Sequence, residues 1–328
     1  MKAVFAITSQ GNDFYTAMTR VAVASLRLSN PTMRLVVACD AESDLAMKRS
    51  QEPLMAEVDE WLVVETPPGS PGFRNRFVKT SLCATVTGRF LFLDSDIFVR
   101  GDLSEIFQID ADIAGTRNHS REAFSEQIWD QDRTTLDAMG WSISDQVYVN
   151  GGVLYHNDTE GARRLSAEWH RRWMESSVNQ ENFRDQPALN AALHCTKPKL
   201  CVLPDRFNAQ FKITPSTAWR PVIWHYYSSA ANTAHTTFEL MVIALARNLT
   251  LDSKKIKELV DSPHPWRRSS PVDDFMVNRI IRRGKFDQFE AAWLKREYRE
   301  FSLLIDEKVK AKLSREWQAF SISNCLKK

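Results

Sequence analysis

Two carboxylates stand where an apolar strand has to end. The segment is Arg89-Phe-Leu-Phe-Leu-Asp94-Ser95-Asp96-Ile-Phe-Val99. In extended backbone the side chains of residues 94 and 96 leave on the same side. The carboxyl ends of parallel strands are where open α/β sheets bind ligands. Two like charges held there are costly unless a cation joins them. Mg²⁺ or Mn²⁺ suits such an oxygen-rich pair, particularly when phosphate oxygens complete the shell. A lone Asp after a strand would read as a turn former or helix cap. The pair after a buried strand points to metal chemistry instead.

The elements that must position this pair are legible upstream of it. Lys2 to Ile7, Met33 to Cys39, Trp61 to Val64 and Arg89 to Leu93 are apolar runs of strand length. Helical spacing fills the gaps at Tyr15 to Leu28, Glu42 to Val58 and Arg74 to Thr87. Strands that are apolar throughout and alternate with helices predict an α/β fold, a mostly parallel sheet covered on both faces. Beyond residue 100 the alternation loosens. Strands are expected at Asp112 to Thr116 and Val147 to Tyr155, the latter interrupted at Gly151-Gly152. Helices are expected at Thr159 to Ser176 and Pro187 to Leu193, and short strands at Leu200 to Leu203 and Val222 to Trp224.

Further motifs follow the carboxylates in order, and together they resemble glycosyltransferase family 8 of the GT-A fold, which includes glycogenin and bacterial lipopolysaccharide galactosyltransferase types. They are Phe77-Val78-Lys79, Tyr148-Val-Asn150-Gly151-Gly152, Asp185-Gln186-Pro-Ala-Leu-Asn190, Leu203-Pro204-Asp-x-Phe-Asn208 and Ile223-Trp-His225-Tyr. The likeness covers about residues 1 to 230. It implies a GT-A-like, Rossmann-type sheet and transfer of a sugar from a nucleoside diphosphate donor, UDP first, to a hydroxyl of a glycan or other acceptor. It implies Asp94, Asp96 and His225 as metal ligands, with Asp94 and Ser95 also at the donor. A histidine beside two carboxylates tips the ion toward Mn²⁺ over Mg²⁺. Lys79, with Arg74 or Arg76, is implied near the donor phosphate or sugar, and Thr8, Ser9 and Gln10 near the nucleoside. Asn150, Asp185 and Gln186 resemble residues facing the donor sugar and reacting carbon, in a reaction that retains anomeric configuration. Read alone, Asp185 before a helical Pro is also a helix N-cap. The family's Gly-x-x-Lys after the late histidine is missing, since Tyr226-Tyr227-Ser228-Ser229 follows His225. Arg267 and Arg268 are candidates to replace that cation.

Two rivals share the Asp-x-Asp signature: a haloacid-dehalogenase-like phosphatase, and a non-catalytic nucleotide-binding protein on the same fold. Trp219, Trp224, Tyr226, Tyr227 and Trp266 gather near the late histidine, as an acceptor platform or as core.

Composition sets the frame. The chain has 328 residues, 43 Lys and Arg against 41 Asp and Glu. That balance argues against a nucleic-acid partner held by bulk charge. Residues 251 to 328 carry 18 Lys and Arg against 12 Asp and Glu, so a basic helical extension is expected beyond a catalytic domain of residues 1 to 250. An apolar stripe from Leu294 to Phe320 predicts a long helix there, docked on the body, at an oligomer interface, or peripheral to a membrane. Five cysteines without a close pair argue against a disulfide framework and structural zinc. The opening apolar run is too short for a signal peptide, and Leu240 to Ala246 is far short of the roughly 20 residues of a membrane span. The expectation is a cytoplasmic protein.

Overall fold

The computed structural model describes residues 1–180, 182–218, 220–227, 236–248, 250–262 and 265. The expected stripe helix, Trp219, Trp266, Arg267 and Arg268 lie outside the described residues.

The elements are, in chain order, β1 (Lys2–Ile7), α1 (Phe14–Ser29), β2 (Arg34–Asp40), α2 (Ala41–Ser50), α3 (Leu54–Glu57), β3 (Glu60–Val64), α4 (Pro71–Thr80), α5 (Leu82–Thr85), β4 (Phe90–Leu93) and β5 (Ile97–Val99). Then come β6 (Ile113–Arg117), α6 (Asp130–Met139), β7 (Val149–His156), α7 (Glu160–Gln180), α8 (Gln186–Thr196), β8 (Leu200–Leu203), β9 (Ile223–His225), α9 (Thr237–Asn248) and α10 (Ser253–Asp261). Seven strands form one sheet in the order β3-β2-β1-β4-β7-β6-β8. Only β7 runs against its neighbours; the other pairings are parallel. This is the expected mostly parallel sheet, with helices on both faces.

Local chemistry sets the boundaries. Asp13 caps α1 by accepting from Thr16 N, and Asp40 caps α2 by accepting from Ser43 N. Pro71 opens α4, where its missing N–H costs nothing. Three expectations are corrected. The single helix over Glu42 to Val58 is two, because Gln51 turns left-handed (φ 52°) and Pro53 follows. The helix over Arg74 to Thr87 starts at Pro71 and breaks at Ser81. Gly151-Gly152 does not interrupt its strand; β7 runs through both. Helix α6 and strand β5 are additions.

Strand alternation divides the core. Ala3, Phe5 and Ile7 of β1 join one cluster with Leu35, Val37 and Tyr155. Val4 faces the other way, with Trp169 and Trp173 of α7. A third cluster packs α1 against α9 and α10 through Val21, Trp224, Val242, Ile256 and Leu259. Arg100 holds α10 there, donating to Val260 O and Ser262 O while its guanidinium lies 4.0 Å from the Trp224 ring centre.

His156 ends β7 within the second cluster, stacked on Phe90 (4.8 Å, 17°) and Trp169 (6.4 Å, 6°). Burial pushes its pKa down from 6.5 to about 4. The unfolded chain therefore takes a proton between these values that the folded chain refuses. The stability this ring contributes is complete above about pH 6.5 and declines as pH falls toward 4, by up to roughly 3 kcal/mol. Urea melts at pH 7 and pH 4.5 should show this loss in the parent and a smaller one in His156→Leu. Equal losses in the two proteins would count against it.

Candidate functional site

The topology explains how distant residues meet. Antiparallel pairing of β4 with β7 sets Leu93 opposite Val153, and Asp94 N donates to Gly152 O (2.8 Å). The chain then turns through Ser95 and Asp96 into β5, whose Ile97 pairs with His225 of β9. Tyr226 N donates to Asp96 O (2.7 Å). Ligand atoms of Asp94, Asp96 and His225 consequently all lie within 4.8 Å of one another. No side chain fits at residue 152. A Cβ there would meet His225 Cε1 at 2.5 Å and Asp94 Oδ2 at 2.9 Å.

The histidine is oriented for ligation. Its Nδ1 pairs with Asn208 Oδ1 (2.8 Å), so Nδ1 carries the proton and Nε2 faces Asp96 Oδ1 at 3.2 Å. Burial alone would lower the pKa of His225, but Asp96 and Asp94 outweigh it and hold it above the ordinary value. Asp96 is held low in turn: burial opposes its charge and His225 overrides burial.

Asn208 belongs to a buried amide cluster. Asn208 Nδ2 donates to Thr116 Oγ1 (3.0 Å) and to Asn150 Oδ1 (2.9 Å). Asn150 Nδ2 in turn points at Asn118 Oδ1, Gln210 Oε1 and Gln186 Oε1, at 2.9, 3.2 and 3.3 Å. Asn150 is thus held within the protein, beneath the site. Asn208 stood out in sequence only as the end of the Leu203-to-Asn208 motif, with no role attached, and Asn118 and Gln210 were not singled out; isolated amides far apart in the chain carry no local pattern.

Lys79 and Asp185 form the second centre. Lys79 Nζ lies 3.2 Å from Asp94 Oδ1 and 3.0 Å from Asp185 Oδ2. Arg76 Nε lies 3.1 Å from Asp185 Oδ1. Burial would raise the pKa of Asp185, but Lys79 and Arg76 hold it low. Asp185 occupies the N-cap position of α8, yet its side chain makes no capping bond. Gln186 Oε1 accepts from Gly151 N (3.2 Å).

An open cleft of about 1220 Å³ runs from the end of β1 and helix α2 to the carboxylates, lined among others by Thr8, Ser9, Arg74, Arg76, Asp94, Ser95 and Asp96. Thr8 Oγ1 donates to Pro71 O (3.1 Å), and Ser9 Oγ bonds to Asp13 Oδ2 (2.8 Å). Ser95 Oγ accepts from Thr19 (2.8 Å). Arg74 is turned away from the carboxylate pair, its Nε donating to Asp40 and its Nη2 lying 2.8 Å from Glu42. Asp13 and Arg184 line the cleft too, and neither stood out in the sequence. Of the aromatic group, Trp224 and Tyr226 are fully buried core. Tyr227 is half-buried, 5.7 Å from Trp129.

This sheet, with a metal-type cluster where β4 ends, is the architecture of the GT-A glycosyltransferases. The glycosyl transferase family 8 model matches residues 75–239, and the chain belongs to that family. It is a glycosyltransferase, which removes the phosphatase alternative. Among solved structures it is similar to the galactosyltransferase LgtC in complex with donor and acceptor sugar analogs, at 16% identity and TM-score 0.53, covering 83% of this chain and 98% of that one. An active-site mutant of LgtC matches at 17% identity and TM-score 0.50, covering 79% and 95%. At these identities the likeness is one of fold. No curated protein sequence matches the chain. No helix among the described residues is long and apolar enough to cross a membrane.

Proposed function

We propose that the chain is a metal-dependent, retaining glycosyltransferase that moves a sugar from a nucleoside diphosphate, UDP first, to a hydroxyl of a glycan or other acceptor. The convergence of Asp94, Asp96 and His225 within 4.8 Å carries this reading. The residues fit a divalent ion: two carboxylates and one imidazole whose Nδ1 is committed to Asn208, leaving Nε2 to give up its proton and ligate. The imidazole favours Mn²⁺ over Mg²⁺. Bound there, the ion would act as a Lewis acid toward the departing diphosphate.

The chain's own groups supply the remainder. Thr8 and Ser9 at the end of β1 receive the nucleoside, with Arg74 holding the wall between Asp40 and Glu42. Lys79 and Arg76 place positive charge beside the anomeric end. Asp185 is gripped by both of these cations, which weakens it as a nucleophile and suits it to positioning the sugar. That grip favours attack by the acceptor hydroxyl on the same face, guided by the leaving phosphate, over a covalent sugar on Asp185. Gln186 turns its Oε1 inward and offers its amide donor to the substrate, while Asn150 steadies Gln186 from beneath.

A thermal-shift panel tests this. UDP with Mn²⁺ is expected to raise Tm by several degrees through linkage, and GDP, CDP and ADP by less. Equal, metal-independent shifts with all four nucleotides would overturn the donor and metal assignments. Shifts with UDP and Mn²⁺ but no turnover of any UDP-sugar would favour the non-catalytic alternative.

A further inference from the structure

Two guanidiniums lie at the carboxylate end of the cleft, and each is anchored so that its Nη2 stays free. Arg76 on α4 uses Nε on Asp185 Oδ1 (3.1 Å) and Nη1 on Asn75 Oδ1 (2.7 Å). Arg184, just before α8, uses Nε on Asp132 Oδ1 (2.6 Å) and Nη1 on Gln131 Oε1 (3.0 Å). In both, Nη2 has no partner among the described residues. Both line the cleft with Asp94 and Asp96, their side chains 38% and 35% exposed. The anchors are buried carboxylates, Asp185 at 9% and Asp132 at 0% side-chain exposure. Asp132 also accepts from Tyr148 Oη (3.1 Å).

This is a pre-oriented pair of forks. An arginine needed only for solubility would not be fixed at Nε by a buried carboxylate and at Nη1 by an amide. Holding Nε and Nη1 removes the rotamer entropy that binding would otherwise cost, and leaves the Nη2 of each arginine to donate to an oxyanion placed between the two. Burial works against the charge of Arg76, but Asp185, Asp94 and Asp96 outweigh it and the smaller opposing charge of Arg184, so the guanidinium stays charged.

We propose that Arg76 and Arg184 form a two-arginine clamp for an oxyanion of the donor, taking over the cationic role of the absent Gly-x-x-Lys. The oxyanion is either the phosphate next to the anomeric bond or a carboxylate on the transferred sugar. The proposal rests on the nucleotide-sugar reading above, and its test keeps the two separable.

Two variants are compared with the parent. Arg76→Met leaves Asp185 its contact with Lys79. The double variant Arg184→Gln, Asp132→Asn avoids stranding a buried carboxylate. Calorimetric titration with Mn²⁺ present uses four probes: inorganic pyrophosphate, UDP, UDP-glucose and UDP-glucuronate, with circular dichroism verifying the fold. Loss of about tenfold or more in affinity for pyrophosphate and UDP in both variants supports a phosphate in the clamp. Loss confined to UDP-glucuronate supports a sugar carboxylate. Folded variants that bind all four probes as the parent does would overturn the clamp, as would a parent that binds none. A parent that binds pyrophosphate in an arginine-dependent way but no nucleotide would sink the donor reading and keep the clamp.

Discussion

Asp96→Ala should abolish sugar transfer while leaving the fold almost untouched. The substitution removes one of the three proposed ligands from a cluster that spans only 4.8 Å. A Lewis acid contributes several kcal/mol to stabilising a developing anion. At about 1.4 kcal/mol per tenfold, its loss is worth at least about a thousandfold in rate. Stability should barely change, because the partner left behind can discharge. His225 holds its proton against burial through Asp96, the largest of the charges that raise it. Without that carboxylate, burial prevails and the ring becomes neutral, still bonded to Asn208 through Nδ1. The expected result is a Tm near that of the parent, no added shift from UDP with Mn²⁺, and transfer at background. An Asp96→Ala protein that transfers at the full rate in excess chelator would refute metal dependence.

The parts of this site differ in how far the sequence reveals them. Asp94 and Asp96 stand out because four buried residues, Phe90 to Leu93, run straight into them. Any charge after such a run has to be explained. The β1, β2 and β4 part of the frame is legible for the same reason, since strands covered on both faces are apolar at nearly every position. Edge strand β3, with Val63 exposed, shows only its apolar run. His225 is different. Its strand has three residues and pairs with another three-residue strand far away in the chain, so neither has a periodic signal. Only the family resemblance pointed to it. Helix α6 stayed hidden because Asp130 to Met139 is mostly polar, with only Asp132, Thr135 and Leu136 buried. Arg184 was hidden with it, since its significance lies in Asp132 on that helix. Lys79 was legible as a basic residue on the right helix, but not as the link between Asp94 and Asp185. That link depends on how α4, β4 and α8 converge, which is tertiary information.

That link makes Lys79→Met the substitution expected to cost the most stability. Lys79 has a side-chain exposure of 4%, its Nζ between Asp94 and Asp185 and 4.9 Å from the centre of the Phe92 ring. Removing a buried cation strands its carboxylates, typically at 3–5 kcal/mol. Here the lower end applies, since Asp94 is 27% exposed and Asp185 keeps Arg76. About 3 kcal/mol corresponds to roughly 6–12 °C in Tm for a domain of this size. Adding Asp185→Asn should recover a large part of the loss, because the remaining penalty comes from an uncompensated charge and not from lost packing. Mn²⁺ offers a second route to the same end. Neutralising Asp94, it should stabilise Lys79→Met by more degrees than it stabilises the parent. Failure of both rescues would mean that Lys79 acts through its aliphatic stem against Phe92. Rescue by Asp185→Asn without rescue by Mn²⁺ would keep the electrostatic account and count against Asp94 as a metal ligand.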